Sequence, residues 1–136
     1  MRGSIALLRD RRGAAVLEFA LLAPVFLASL FVIIEGGRLV WMQQLLRQTA
    51  FSAVRCAAID TVNCATEAQR KNYAVARAAR SGTRITASAV TITPGAVCNG
   101  NGGSNQVTIS VPFNSPVAGL LGVPATVTAS ACFPAI

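Results

Sequence analysis

The chain has 136 residues, a net charge of +7 and no histidine, with 53% hydrophobic against 12% charged residues. That length fits at most one ordinary domain, and the lack of histidine removes the commonest general base. With four acidic residues after Gly13 and no nucleophile motif, no catalytic site assembles, so a non-enzymatic protein is expected.

Nucleic-acid binding is not expected from the basic excess either. No basic stripe is interleaved with aromatics, and seven of the eight basic residues after Gly13 fall on predicted helices, as solvated faces do.

Residues 1–13 form a short polar segment in which Arg9, Arg11 and Arg12 crowd the front of an apolar run. Arginines on the amino side of such a run hold that side in the cytoplasm, so the rest of the chain is expected to be exported. Phe19 to Ile34 carry no charge over 16 residues. The 21 residues from Ala14 to Ile34 span about 31 Å as a helix, enough to cross the hydrocarbon core. A cleaved secretory signal would have a shorter apolar region and an A-x-A-like site. Ile33-Ile34-Glu35-Gly36-Gly37 offers none, so residues 14–35 read as a retained transmembrane helix. Pro24 is tolerated there. Glu18 is the costly feature: an acidic residue at the centre of a membrane helix costs ~2.5–3.5 kcal/mol, less near an end, and a chain that keeps one has a use for it. Glu35, at the outer boundary, reads as a hydrated interfacial carboxylate.

Residues 36–58 continue as an amphipathic helix. Leu39, Met42, Leu45, Leu46, Ala50, Ala53, Val54 and Ala57 recur at steps of three and four, with Arg38, Gln43, Gln44, Arg47, Gln48 and Arg55 on polar faces. Trp41 suits the water interface. The Gly36-Gly37 pair is expected within one continuous helix of ~40 residues rather than as a break. Residues 59–82 hold a loop and a second helix. Thr66-Glu67-Ala68-Gln69 has the form of a capping box, and the helix runs to about Arg80 before Gly82 stops it.

Residues 83–136 read as an exported antiparallel β region. Residues 84–93 alternate Thr and Ser with apolar side chains, with a phase slip between Ala89 and Val90 that suggests a bulge. Residues 99–105, rich in Asn and Gly, read as a loop. Val107, Ile109, Val111 and Phe113 then alternate with Thr108 and Ser110, and Pro112 ends that strand or puts it at an edge. Val123, Ala125, Val127, Ala129, Ala131 and Phe133 form a third alternating run. The fold class expected is a membrane-anchored α+β protein: a long N-terminal helix, a short second helix and a small three-stranded meander.

Cys56, Cys64, Cys98 and Cys132 are separated by 7, 33 and 33 residues. That spacing, without histidine, does not suit zinc, and no metal or cofactor is expected. Two disulfides in an oxidising compartment fit better than four buried thiols. Cys56 closes the first helix and Cys64 precedes the second, so that bridge would pin the two. Cys98 follows strand one and Cys132 closes strand three, which a meander places at the same edge of the sheet. The other two pairings stay open.

A membrane helix with an amphipathic extension and a small exported sheet resembles type IV pilin-type subunits. The stretch Arg11-Arg12-Gly13-Ala14-Ala15-Val16-Leu17-Glu18-Phe19-Ala20-Leu21-Leu22-Ala23-Pro24 resembles the opening of the TadE-like family, pseudopilins of the tight-adherence (Flp-type) pilus system. Ile33-Ile34-Glu35-Gly36-Gly37-Arg38-Leu39 is similar to that family's later glutamate-glycine-arginine stretch. The resemblance covers residues 11–55, and nothing after Cys64 contributes to it.

The resemblance implies cleavage by a prepilin peptidase after Gly13, leaving Ala14 as the new terminus and residues 1–13 as a leader. It gives Glu18, with Phe19 beside it, the task of neutralising the Ala14 ammonium, either its own or that of a neighbouring subunit. It further implies a single-pass protein of the bacterial inner membrane with a cytoplasmic amino terminus and a periplasmic carboxyl-terminal domain. The implied partners are membrane lipid, other pilin-like subunits through the hydrophobic helix, the peptidase and pilus assembly platform proteins. The function implied is that of a minor pilin in pilus assembly and surface attachment. The competing expectation is an unprocessed single-span protein whose exported domain is a scaffolding or binding module.

Overall fold

A computed structural model describes residues 12–116, 119 and 122–135. Arg9 and Arg11 of the expected leader, and part of the connection expected at 114–122, lie outside the described residues. The chain divides into two units, Met1–Gly37 and Arg38–Ile136.

Helix α1, Arg12–Ile59, runs for 48 residues. It passes through Gly36-Gly37 without interruption, because two glycines weaken a helix by only ~1 kcal/mol each, while the flanking positions are strong helix formers. Pro24 is inside it. In the first unit its apolar side chains are exposed: Val16, Leu17, Phe19, Leu21, Leu22, Val25 and Phe26 cover nothing within the fold. Among the described residues this is the one helix long and apolar enough to cross a membrane.

Helix α2, Glu67–Arg80, begins with the capping box in full. The Gln69 amide donates to Thr66 Oγ1 at 3.3 Å and the Thr66 amide donates to Gln69 Oε1 at 2.9 Å. At its far end the Thr83 amide donates back to the Ala78 carbonyl, with Gly82 at a positive φ of 84°, as a left-handed helix stop requires.

The sheet comprises β1 (Val90–Cys98), β2 (Asn101–Pro112) and β3 (Thr126–Pro134), antiparallel in the order β1-β2-β3. Residues line up across it in rows, Val90 with Ile109 and Ala129, then Ile92 with Val107 and Ala131. One face of these rows joins Leu46, Ala50, Ala53 and Val54 of α1 and Ala74 and Ala78 of α2 in a single buried core. The opposite face carries Thr and Ser, among them the cross-strand pair Ser110 Oγ and Thr128 Oγ1 at 3.0 Å. Pro112 ends β2, the central strand, where its missing N–H costs no ladder bond.

Two expectations for the sheet are corrected. Strand β1 starts at Val90, not 84; residues Ala87–Ala89 form a 3₁₀ turn instead, and that turn absorbs the phase slip read as a bulge. The irregularities in register fall later, between Thr93 and Ala96 and between Ala96 and Cys98, around Pro94 and Gly95 at φ 70°. Residues 101–105 are strand rather than loop. Only Asn99 and Gly100, at φ 50° and 83°, form the turn, the two left-handed residues that a tight Asn-Gly hairpin needs.

The expected pairing of Cys98 with Cys132 is present, although the two sit on opposite outer strands. Strands flanking a third lie about 9–10 Å apart in a flat sheet, yet these Cα atoms are 6.3 Å apart. The bulged end of β1 therefore curls over β2, as bulges bend and over-twist a strand, and Ser104 is buried beneath.

Candidate assembly helix and disulfide-pinned junction

Gly13, Ala14, Glu18 and Phe19 all lie in the first two turns of α1, and all are exposed. Phe19 keeps 74% of its surface. A Cβ added to Gly13 would meet nothing within 4 Å, so no packing inside this chain calls for glycine there. Glu18 stands four residues after Ala14, and positions four apart share one helix face. Among the described residues no hydrogen bond or ion pair reaches Glu18. The helix thus sets one carboxylate beside the expected new terminus, on a surface that is otherwise hydrocarbon.

Glu35 departs from the sequence reading. It is buried, at 6% exposure, rather than hydrated. Further along, Leu39, Met42, Leu46, Thr49, Ala50 and Ala53 form one stripe on the packed side of α1. Thr49, a polar residue, is buried within that stripe. Trp41 is 71% exposed. The Arg38 guanidinium lies 5.6 Å from the centre of the Phe113 ring, a cation–π contact that ties α1 to the end of β2.

At the far end of α1, Cys56 is bonded to Cys64, with Cα atoms 5.8 Å apart, and Cys98 is bonded to Cys132. The loop closed by the first bridge is organised by Asp60. Its Oδ1 accepts from the amides of Val62 at 3.0 Å and Asn63 at 2.8 Å, and its Oδ2 accepts from Asn63 Nδ2 at 2.9 Å. These bonds stabilise the ionised carboxylate, the Asn63 amide foremost, and hold Asp60 below its ordinary pKa. Arg70 of α2 completes the junction: its Nε donates to the Cys64 carbonyl at 2.7 Å and its terminal nitrogen to the Ala65 carbonyl at 3.2 Å. Those two carbonyls lie just outside α2, where no helical partner exists. Asp60 followed by Asn63 was a turn signal of the Asx type. Arg70 gave no signal, because a side chain reaching back six residues leaves no periodic trace.

Among the described residues no three His, Cys, Asp or Glu side chains gather to hold a metal. Residues 13–55 match the family model described as TadE-like protein. No curated protein and no solved structure matches the chain. The match falls on α1 alone, within the stretch that carries the resemblance, and covers under half of the chain.

Proposed function

We propose that this protein is a minor pilin, or pseudopilin, that acts in assembling a tight-adherence pilus and in surface attachment. A prepilin peptidase cuts after Gly13, and Ala14 becomes the amino terminus of a single-pass inner-membrane protein whose sheet domain faces the periplasm. The hydrophobic half of α1 packs with other pilin-like helices, first in lipid and then at the assembly platform, and the protein does no catalysis of its own.

One observation carries this reading: the segment that matches the TadE-like model opens with a helical stretch, Val16 to Ile34, whose large apolar side chains are unburied in its own fold. Monomeric proteins rarely keep such a surface without a lipid or protein partner. The chemistry of the first two turns supports it. A glycine with open space around it leaves the bond after it accessible to an enzyme. A new ammonium at Ala14 would be costly in lipid, and a carboxylate four residues away on the same face, or that of a neighbour, offsets part of the cost of both charges.

The amino terminus of the protein extracted from membranes of its native host tests this. Mass spectrometry is expected to find Ala14 first. An intact Met1 leader would replace the proposal with an unprocessed membrane protein whose exported domain is a binding or scaffolding module.

A further inference from the structure

Beyond the membrane helix, the exported unit carries a cleft that the pilin reading does not use. It has a volume of about 430 Å³ and lies where the end of α1 meets α2, lined by Ser52, Arg55, Ile59, Asp60, Tyr73 and Arg77, with the Cys56 bridge at its side. Two guanidiniums, a phenol and a hydroxyl therefore share one open cavity. All four belong to exposed or half-buried residues. Neither Arg55 nor Arg77 has a side-chain hydrogen bond or ion pair among the described residues. Asp60, the one carboxylate in the cleft, has both oxygens occupied by Val62 and Asn63. Two like charges thus face a common space with their only local counter-charge engaged elsewhere.

We propose that this cleft binds an aspartate or glutamate side chain in an acidic segment of a different polypeptide. Paired guanidiniums suit a carboxylate because each presents a planar fork of donors to it, while Tyr73 and Ser52 supply further donors and Ile59, 55% exposed, an apolar contact. Charge balance argues against a second copy as the occupant. The unit Arg38–Ile136 holds eight basic residues against two acidic, a net of +6. Of its two carboxylates, Asp60 is engaged in its own loop and Glu67 is held by Lys71 at 2.7 Å. Two copies of this unit would repel, and the unit holds no uncommitted side-chain carboxylate to exchange. A lipid headgroup is the poorer fit too: Arg55 lies fourteen residues beyond Trp41, the expected interface aromatic, or about 21 Å along α1.

The test uses the full chain in detergent micelles with fluorescein-labelled hexaglutamate as the probe, read by anisotropy at about 0.1 M salt, where diffuse surface attraction is screened beyond ~10 Å. Arg55→Gln combined with Arg77→Gln is expected to weaken binding by about tenfold, the effect of losing charge-assisted donors. Arg47→Gln combined with Arg84→Gln removes the same charge outside the cleft and is expected to weaken it by less than about twofold. Equal losses in both pairs, or no binding of the probe to the unaltered protein, would overturn the proposal. So would cleft-dependent binding to phosphatidylglycerol vesicles in place of the peptide. If the paired cleft variant does not fold, Arg55→Lys and Arg77→Lys keep the charge but lose the fork, and each is expected to bind about threefold more weakly. Unchanged affinity in both would overturn it equally.

Discussion

Asp60 shows how a single exposed side chain shapes the junction between the two helices. Three donors converge on it, so its carboxylate is held below the ordinary value of 3.8, and the linkage has a definite sign. A group whose folded pKa is depressed adds stability that is present above its unfolded pKa and disappears as pH falls through the folded one. The loop between Cys56 and Cys64 should therefore keep its hydrogen bonds at neutral pH and loosen in acid. Glu67 is lowered as well, first by its hydrogen bond to Lys71, and contributes with the same sign. Amide chemical shifts separate the two: those of Val62 and Asn63 are expected to titrate with a midpoint below 3.8, and Asp60→Asn should abolish that titration while leaving the Glu67 transition in place. Unchanged Val62 and Asn63 shifts down to about pH 2 would contradict the assignment.

At the scale of elements, the two disulfides do unequal work, and loop length sets the order. The Cys56–Cys64 bridge closes a separation of 8 residues and Cys98–Cys132 one of 34. Chain-entropy reasoning assigns them about 2.5 and about 4 kcal/mol. Replacing Cys98 and Cys132 with serine is expected to lower the unfolding free energy of the unit Arg38–Ile136 more than replacing Cys56 and Cys64, as measured by denaturant titration in detergent. The reverse order would mean that the helix junction, not the curled sheet end, limits its stability. How far such elements could be read from sequence depends on whether their signals are local. The capping box at Thr66 and the run through Val107, Ile109 and Val111 are patterns of spacing within one element, and both were legible. The turn at Asn99-Gly100 was obscured by the glycines of β2 that follow it. Gly102 and Gly103 imitate loop composition, but both lie within strand β2. The burial of Glu35 and the reach of Arg70 depend on tertiary placement, which no single stretch encodes. For the candidate site, residue types and spacing carried Gly13, Ala14, Glu18 and Phe19, whereas the arginines of the cleft became neighbours only when α1 and α2 were placed together.

The whole molecule is divided in what its residues are for. Residues 38–135 contain the buried core, with Val107 and Ile109 fully enclosed, while the apolar side chains between Val16 and Ile34 are exposed. Stability of the unit Arg38–Ile136 and the proposed assembly through the hydrophobic helix should therefore be separable by mutation. Glu18 lies in the first unit and touches none of the core. Glu18→Ala is expected to leave membrane insertion and the thermal unfolding of the sheet domain unchanged, since removing an exposed side chain away from any packing usually shifts stability by no more than ~0.5 kcal/mol. Pilus formation should nevertheless fall sharply, because the Ala14 ammonium would lose the carboxylate that offsets its charge in lipid. Glu18→Gln separates charge from shape: it keeps the length and hydrogen-bonding capacity of the side chain but not the charge, and is expected to fail as the alanine variant does. Counting surface pili by electron microscopy beside a melting curve of the same preparation checks both halves. Normal piliation in either variant would remove the assembly role given to Glu18, and a lowered melting temperature with lost pili would place the defect in folding rather than in subunit pairing.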